Sequence, residues 1–193
     1  MQKNNKKVWD TRVLVFLGLL VAMQIVLTRL FVIELGSYRI TLGSVCSILA
    51  GLWFGPVGGG ICGMVADILG GMLKGYALNP LITLAAMMWG IVPAIFRILF
   101  AGNGTRIRKT IVICIGIFFG SVLGTLVLNT AAVALINGGD FWVSCMAIFP
   151  GRVAQWAMMT PIYCVLSCMM YFSPITKIVL GGMVQKKDKT VKA

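Results

Sequence analysis

Leu49-Ala50-Gly51-Leu52-Trp53-Phe54-Gly55-Pro56-Val57-Gly58-Gly59 interrupts an apolar region that runs from Ile40 to Leu73. That region is too long for one membrane crossing, which takes about 20 residues. Gly55 permits a tight turn and Pro56 removes a backbone donor, so the helix breaks there. The stretch reads as a hairpin of two helices, one ending at Phe54 and one covering 57–73. Working outward, apolar runs at 13–33, 80–100, 110–136 and 145–172 complete a set of six helices. The second helix is short of a full crossing.

Composition agrees with a lipid solvent. Of 193 residues, 59% are hydrophobic and only 11% charged, and the mean hydropathy is +0.96. Soluble domains carry about 25% charged residues. The expected architecture is an all-α membrane protein, a bundle of six transmembrane helices in the cell membrane. A basic N-tail (1–12) precedes the helical domain (13–172), and a basic C-tail (173–193) follows it.

The net charge of +12 reads as membrane topology and not as a nucleic-acid ligand. Of the 17 basic residues, all but Arg29, Arg39, Lys74 and Arg152 fall in the tails or beside the connection between the fourth and fifth helices. Basic residues collect on the cytoplasmic side, so both termini are expected there. The first apolar stretch is too long for a signal peptide, and no A-x-A-like cleavage site follows it.

Several chemistries are poorly supported. Histidine is absent and only five acidic residues occur, so neither a metal site nor a proton relay is expected. No cofactor is expected either. No GxxxxGK[ST] run for nucleotide hydrolysis appears. The six cysteines form no CxxC pair and read as small buried hydrophobes.

Polar residues within spans are costly and point to function. Gln24, Thr28 and Arg29 lie in the later part of the first helix, Asp67 in the outer half of the third, and Asn79, Pro80 and Thr83 at the start of the fourth. Asn129 and Thr130 come late in the fifth, and Arg152 and Gln155 early in the sixth. Five helices thus place hydrogen-bonding groups at one level, toward the outer face. A channel needs a continuous wettable lining, and a secondary transporter usually has related halves with a midplane ion site. The pattern suits neither. It suits a binding cup open to the outside and closed below.

The cup is cationic, since Arg29, Arg39, Lys74 and Arg152 outnumber Glu34, Asp67 and Asp140. Arginine forks take carboxylate or phosphate in paired hydrogen bonds. Asp67 either pairs with one of these arginines or faces an N–H edge of a ligand. Nearby aromatic residues, Tyr76 and Trp156 among them, either stack on a flat ligand or mark the lipid interface. Glycines four apart (Gly51 with Gly55, Gly59 with Gly63, Gly120 with Gly124) suit close helix packing. Gly18-x-x-x-Ala22 lies in an apolar setting and suits contact with a second membrane protein equally well.

The stretches 27–31 (LTRLF), 38–43 (YRITLG), 49–59 and 63–70 (GMVADILG), with Asn129-Thr130 and Gly151-Arg152-Val153, resemble the substrate-binding S components of energy-coupling factor (ECF) vitamin importers. The resemblance extends over residues 12–172 and is strongest to the folate-specific members. The sequence departs from them in a short 74–80 loop, in Ala131-Ala132 after Asn129-Thr130, and in Gly18 as the first small residue of the first helix.

The resemblance implies a non-enzymatic receptor that binds a vitamin from outside. A transmembrane T protein and two cytoplasmic ATPase subunits would energise it, with Gly18 and Ala22 facing the T protein. For folate, Arg29, Arg39 or Arg152 would hold the carboxylates, and Asp67 with Asn79 or Asn129 would address the pterin. Tyr76 and Gln155 complete the expected substrate-binding set. The alternatives are an S component for riboflavin or thiamine, an integral membrane enzyme acting on an anionic lipid, and a non-catalytic scaffold.

Overall fold

Residues 11–35, 38–75, 78–102, 105–136, 140–176 and 178–179 are described by a computed structural model of the chain, with backbone alone at 33–35 and 38–40. Most of both tails, Tyr76 and the side chain of Arg39 lie outside the described residues.

Apolar sequence in long runs makes helices, because a helix satisfies its own backbone in lipid. The elements are α1 (Thr11–Arg29), β1 (Ile33–Leu35), β2 (Tyr38–Ile40), α2 (Ser44–Phe54), α3 (Pro56–Leu73) and α4 (Pro80–Phe96). A π-helical turn, Arg97–Ala101, continues α4. Next come α5 (Arg106–Ser121), a π-helical segment (Val122–Asn129), α6 (Thr130–Ile136) and α7 (Phe141–Phe172). Counted as continuous rods, five helices among the described residues are long and apolar enough to cross a membrane. The sixth, α2, has 11 residues and rises about 16 Å, about half of a hydrocarbon core.

The break at 55–56 is built as its residues require. Gly55 has φ of +89°, in the region that favours glycine, and Pro56 opens α3, where a missing N–H is harmless. The ends of the first two helices differ from expectation. α1 stops at Arg29 and α2 begins at Ser44, and the residues between them carry a short antiparallel hairpin that the all-helical reading did not contain. Its register pairs Ile33 with Ile40, Glu34 with Arg39 and Leu35 with Tyr38.

Backbone approach holds α2, α3 and α4 together. A Cβ on Gly51 would overlap the carbonyl oxygen of Gly90, and one on Gly59 would lie 2.7 Å from the Cα of Gly51. Gly63 meets the backbone of Ala86 in the same way. Lipid supplies no hydrophobic drive between helices, so such close packing is a main source of cohesion. The pairing of Gly51 with Gly55 is corrected: nothing lies within 4 Å of a Cβ on Gly55, which serves the turn instead. Around this junction Ile48, Leu49, Leu52, Cys62, Ile113 and Ile117 are fully or nearly fully buried.

Side-chain contacts define the two ends of the bundle. At one, Trp53 Nε1 donates to Thr176 Oγ1 at 3.1 Å, Arg97 donates to the Tyr171 hydroxyl at 3.5 Å, and Arg106 lies over the Phe172 ring. This end gathers the C-termini of α2 and α7 and the start of α5. The opposite end gathers the C-termini of α1 and α3 and the start of α4.

Candidate functional site

At the opposite end the expected polar residues form a linked set. Arg29, in the last turn of α1, lies 3.9 Å from Asp67 of α3 (Nη2 to Oδ1), with side chains 14% and 21% exposed. The second carboxylate oxygen, Asp67 Oδ2, accepts from Thr83 Oγ1 of α4 at 2.8 Å. A carboxylate offers about four lone-pair directions, so these two contacts leave Asp67 capacity for an N–H donor. Asp67 therefore does pair with an arginine, one of its two expected roles, at a distance on the outer limit of an ion pair.

Asn79 begins α4. Its Oδ1 accepts the Leu81 N–H at 3.0 Å, satisfying one of the donors that a helix start leaves open. Its backbone carbonyl takes Thr83 Oγ1 at 3.3 Å. Thr83 thus ties Asn79 to Asp67, with their Asn79–Thr83 spacing one helical turn. Gly70 shapes the same place. A Cβ there would stand 2.5 Å from Arg29 Nε and 3.0 Å from Nη2, so the guanidinium lies across the glycine.

Behind this set a second polar cluster sits in the core. Gln24 of α1 is buried, and its Oε1 accepts from Ser47 Oγ of α2 at 2.7 Å and from Cys62 Sγ of α3 at 3.5 Å. Because α2 is short, non-helical backbone before Ser44 enters the bundle, where its groups need partners. Tyr163 of α7 supplies one, its hydroxyl donating to the Thr41 carbonyl at 2.5 Å. The same ring meets Trp89 edge-on at 4.9 Å between centroids.

Other expected site residues occupy neighbouring elements. Arg152 is buried in the first half of α7, and Gln155 is half-buried a turn later. Asn129 is half-buried at the end of the π-helical segment, which packs on both α4 and α7. The structure thus joins Arg29 to Asp67 by an ion pair and Asp67 to Asn79 through Thr83. Asn129 belongs to the π-helical segment, and Arg152 and Gln155 to α7, elements that pack on each other. Arg39 is placed by its backbone alone, opposite Glu34 in the hairpin. Gly18 and Ala22 are exposed on α1, and nothing lies within 4 Å of a Cβ on Gly18.

Gly70 and Tyr163 were not among the expected site residues, and Thr83 was expected only as a polar group of the cup with no assigned ligand role. Thr83 carried a legible signal, a hydroxyl one turn after a helix-capping asparagine. Tyr163 lies in an apolar run with nothing local to mark it.

The ECF transporter, substrate-specific component family matches residues 12–184. The "Folate transporter FolT" of Clostridium novyi (strain NT) is 28% identical over 155 residues, spanning 79% of this chain and 84% of that protein. Two solved structures share the fold. One, described as "Crystal structure of FolT bound with folic acid", superposes with a TM-score of 0.67 at 24% identity, covering 83% of this chain and 93% of the other. The second, described as "Structure and mechanism of the S component of a bacterial ECF transporter", gives 0.54 at 19% identity, covering 81% and 93%. Apolar helices, a polar set gathered at one bundle end, and a family match over nearly the whole length agree, and the chain belongs to the substrate-specific components of ECF transporters.

Proposed function

We propose that this S component binds folate from outside the cell and delivers it inward together with a T protein and two ATPase subunits. The observation that carries the reading is the Arg29–Asp67–Thr83 set at one end of the bundle. It presents both a cation and a carboxylate. Folate has matching groups, carboxylates at its glutamate end and an N–H edge on its pterin. The names of the relatives, a folate transporter and a protein bound with folic acid, support the same ligand.

In this reading the cup opens to the outside and both termini lie in the cytoplasm of a bacterial cell. Arg29, Arg39 or Arg152 take the carboxylates, while Asp67, with Asn79 or Asn129, addresses the pterin. Tyr76 and Gln155 complete the lining. The chain performs no chemistry on its cargo. Its exposed Gly18–Ala22 face docks the T protein, and the S component topples in the bilayer to turn its cup inward.

Titration of purified protein with folate, riboflavin and thiamine tests the assignment. Folate binding tighter than the other two is expected, and folate is expected by mass spectrometry in protein purified from folate-fed cells. Tighter binding of riboflavin or thiamine would overturn it. Arg152→Ala is expected to weaken folate binding by about 2–5 kcal/mol, the loss for truncating one partner of a buried charge pair.

A further inference from the structure

A groove of about 750 Å³ runs along the seam between α5 and α7, away from the polar set. Ile115, Phe118 and Phe119 of α5 form one wall, and Trp156, Ala157 and Pro161 of α7 form much of the other. Ala157 and Pro161 lie one turn apart, and their small side chains opposite two phenylalanines leave the space. The polar groups of the wall are turned to protein partners. Trp156 Nε1 donates to Ser121 Oγ at 2.8 Å, and Thr160 Oγ1 donates to the Trp156 carbonyl at 2.7 Å. What the groove presents is hydrocarbon.

The same seam ends in charge. Arg106, at the start of α5, lies over the Phe172 ring at the end of α7, 4.7 Å from its centroid. Arg106 and Arg108 are exposed, with Lys109 beside them. Of the two acidic residues whose side chains are described, Asp67 lies in the second half of α3 and Asp140 at the start of α7, neither of them at this end of the seam. Along α5 the groove residues stand about 12–20 Å from Arg106 at 1.5 Å per residue. That is the depth reached by an acyl chain whose headgroup lies at the bilayer surface.

We propose that the α5–α7 seam is a binding site for an anionic phospholipid, with its phosphate at Arg106, Arg108 and Lys109 and one acyl chain laid in the groove. Any lipid chain fits the apolar part. The basic turn selects the lipid whose phosphate charge is not cancelled by a cationic headgroup, and each such residue near the surface favours an anionic lipid about fivefold. This site is independent of the vitamin the protein binds.

Trp156 reports on the groove directly. Full-length protein in phosphatidylcholine vesicles is compared with Trp156→Phe, so that their difference isolates the Trp156 emission. Phosphatidylglycerol brominated deep in its chains is then matched against identically brominated phosphatidylcholine. The expected result is quenching of Trp156 by both, with about a fivefold or greater preference for phosphatidylglycerol. The preference should vanish in R106Q/R108Q/K109Q while quenching by brominated phosphatidylcholine persists. In wild type it should fade as salt is raised to about 1 M, where charges are screened within a few ångströms. Ala157→Leu, which fills the groove and leaves the basic turn alone, should reduce quenching by both lipids. Equal quenching of wild type by the two lipids, a preference insensitive to salt, or Trp156 emission untouched by either would overturn the proposal.

Discussion

Replacing Gly70 with alanine should move one side chain and leave the fold intact. The new Cβ would stand 2.5 Å from Arg29 Nε, 3.0 Å from Nη2 and 3.1 Å from Cζ. Non-bonded heavy atoms settle at about 3.5–4.0 Å, so the guanidinium must retreat by about 1 Å. Its contact with Asp67 is already 3.9 Å, and a shift of that size redirects or breaks it. The displaced atoms are the far end of a flexible side chain, and alanine favours a helix interior by up to about 1 kcal/mol over glycine. Thermal stability should therefore change little. Folate affinity should fall by about 1–2 kcal/mol, a factor of about 5–30, less than the loss from truncating a paired arginine. Isothermal titration with folate and a melting curve in the same detergent measure both quantities. Gly71→Ala is the control, because its Cβ meets Leu78 at 3.3 Å and not Arg29. A G70A protein that melts like wild type and binds folate within twofold of it would refute the role given to Arg29.

Tyr163→Phe keeps the ring against Trp89 but strips the Thr41 carbonyl of its donor; a loss of about 1–3 kcal/mol in unfolding free energy is expected, and unchanged stability would contradict it. Gly51→Ala drives a methyl into the Gly90 carbonyl and should cost about 3 kcal/mol, whereas Gly18→Ala, with nothing within 4 Å, should melt as wild type. Size-exclusion profiles and melting temperatures of the two variants make the comparison. Asp67→Asn keeps an oxygen for Thr83 and removes the attraction on Arg29. Stability should shift by less than about 1 kcal/mol, as for a partly exposed pair, while folate affinity drops about tenfold; tight folate binding by this variant would argue against a carboxylate role.

The spans were legible because each depends on a local property, a run of apolar residues or a Gly-Pro break at 55–56. The hairpin at Ile33–Leu35 and Tyr38–Ile40 was not, since only its end residues Ile33 and Ile40 fall in the apolar runs and strands of three residues are too short to display an alternating pattern. Asp67 and Arg29 stood out as charges inside apolar sequence. Thr83 was legible as a hydroxyl one turn after Asn79, whereas Gly70 gains its role only when α1 and α3 come together, so no spacing rule singles it out. Four-residue glycine spacing misled at Gly55, which serves the turn, while Gly51 does allow close helix approach. The partners of Gly51 are Gly59 and Gly90, which lie on other helices.

The contact of Gly51, Gly59 and Gly90 has a mechanical consequence. Rotamer changes are how packed helices ordinarily absorb small sliding motions, and here main chain rests on main chain with no rotatable group between. The central three rods are locked like stones laid without mortar. Any reorientation of the protein within the bilayer must then carry α2, α3 and α4 as a single rigid wedge, leaving deformation to the elements at their periphery.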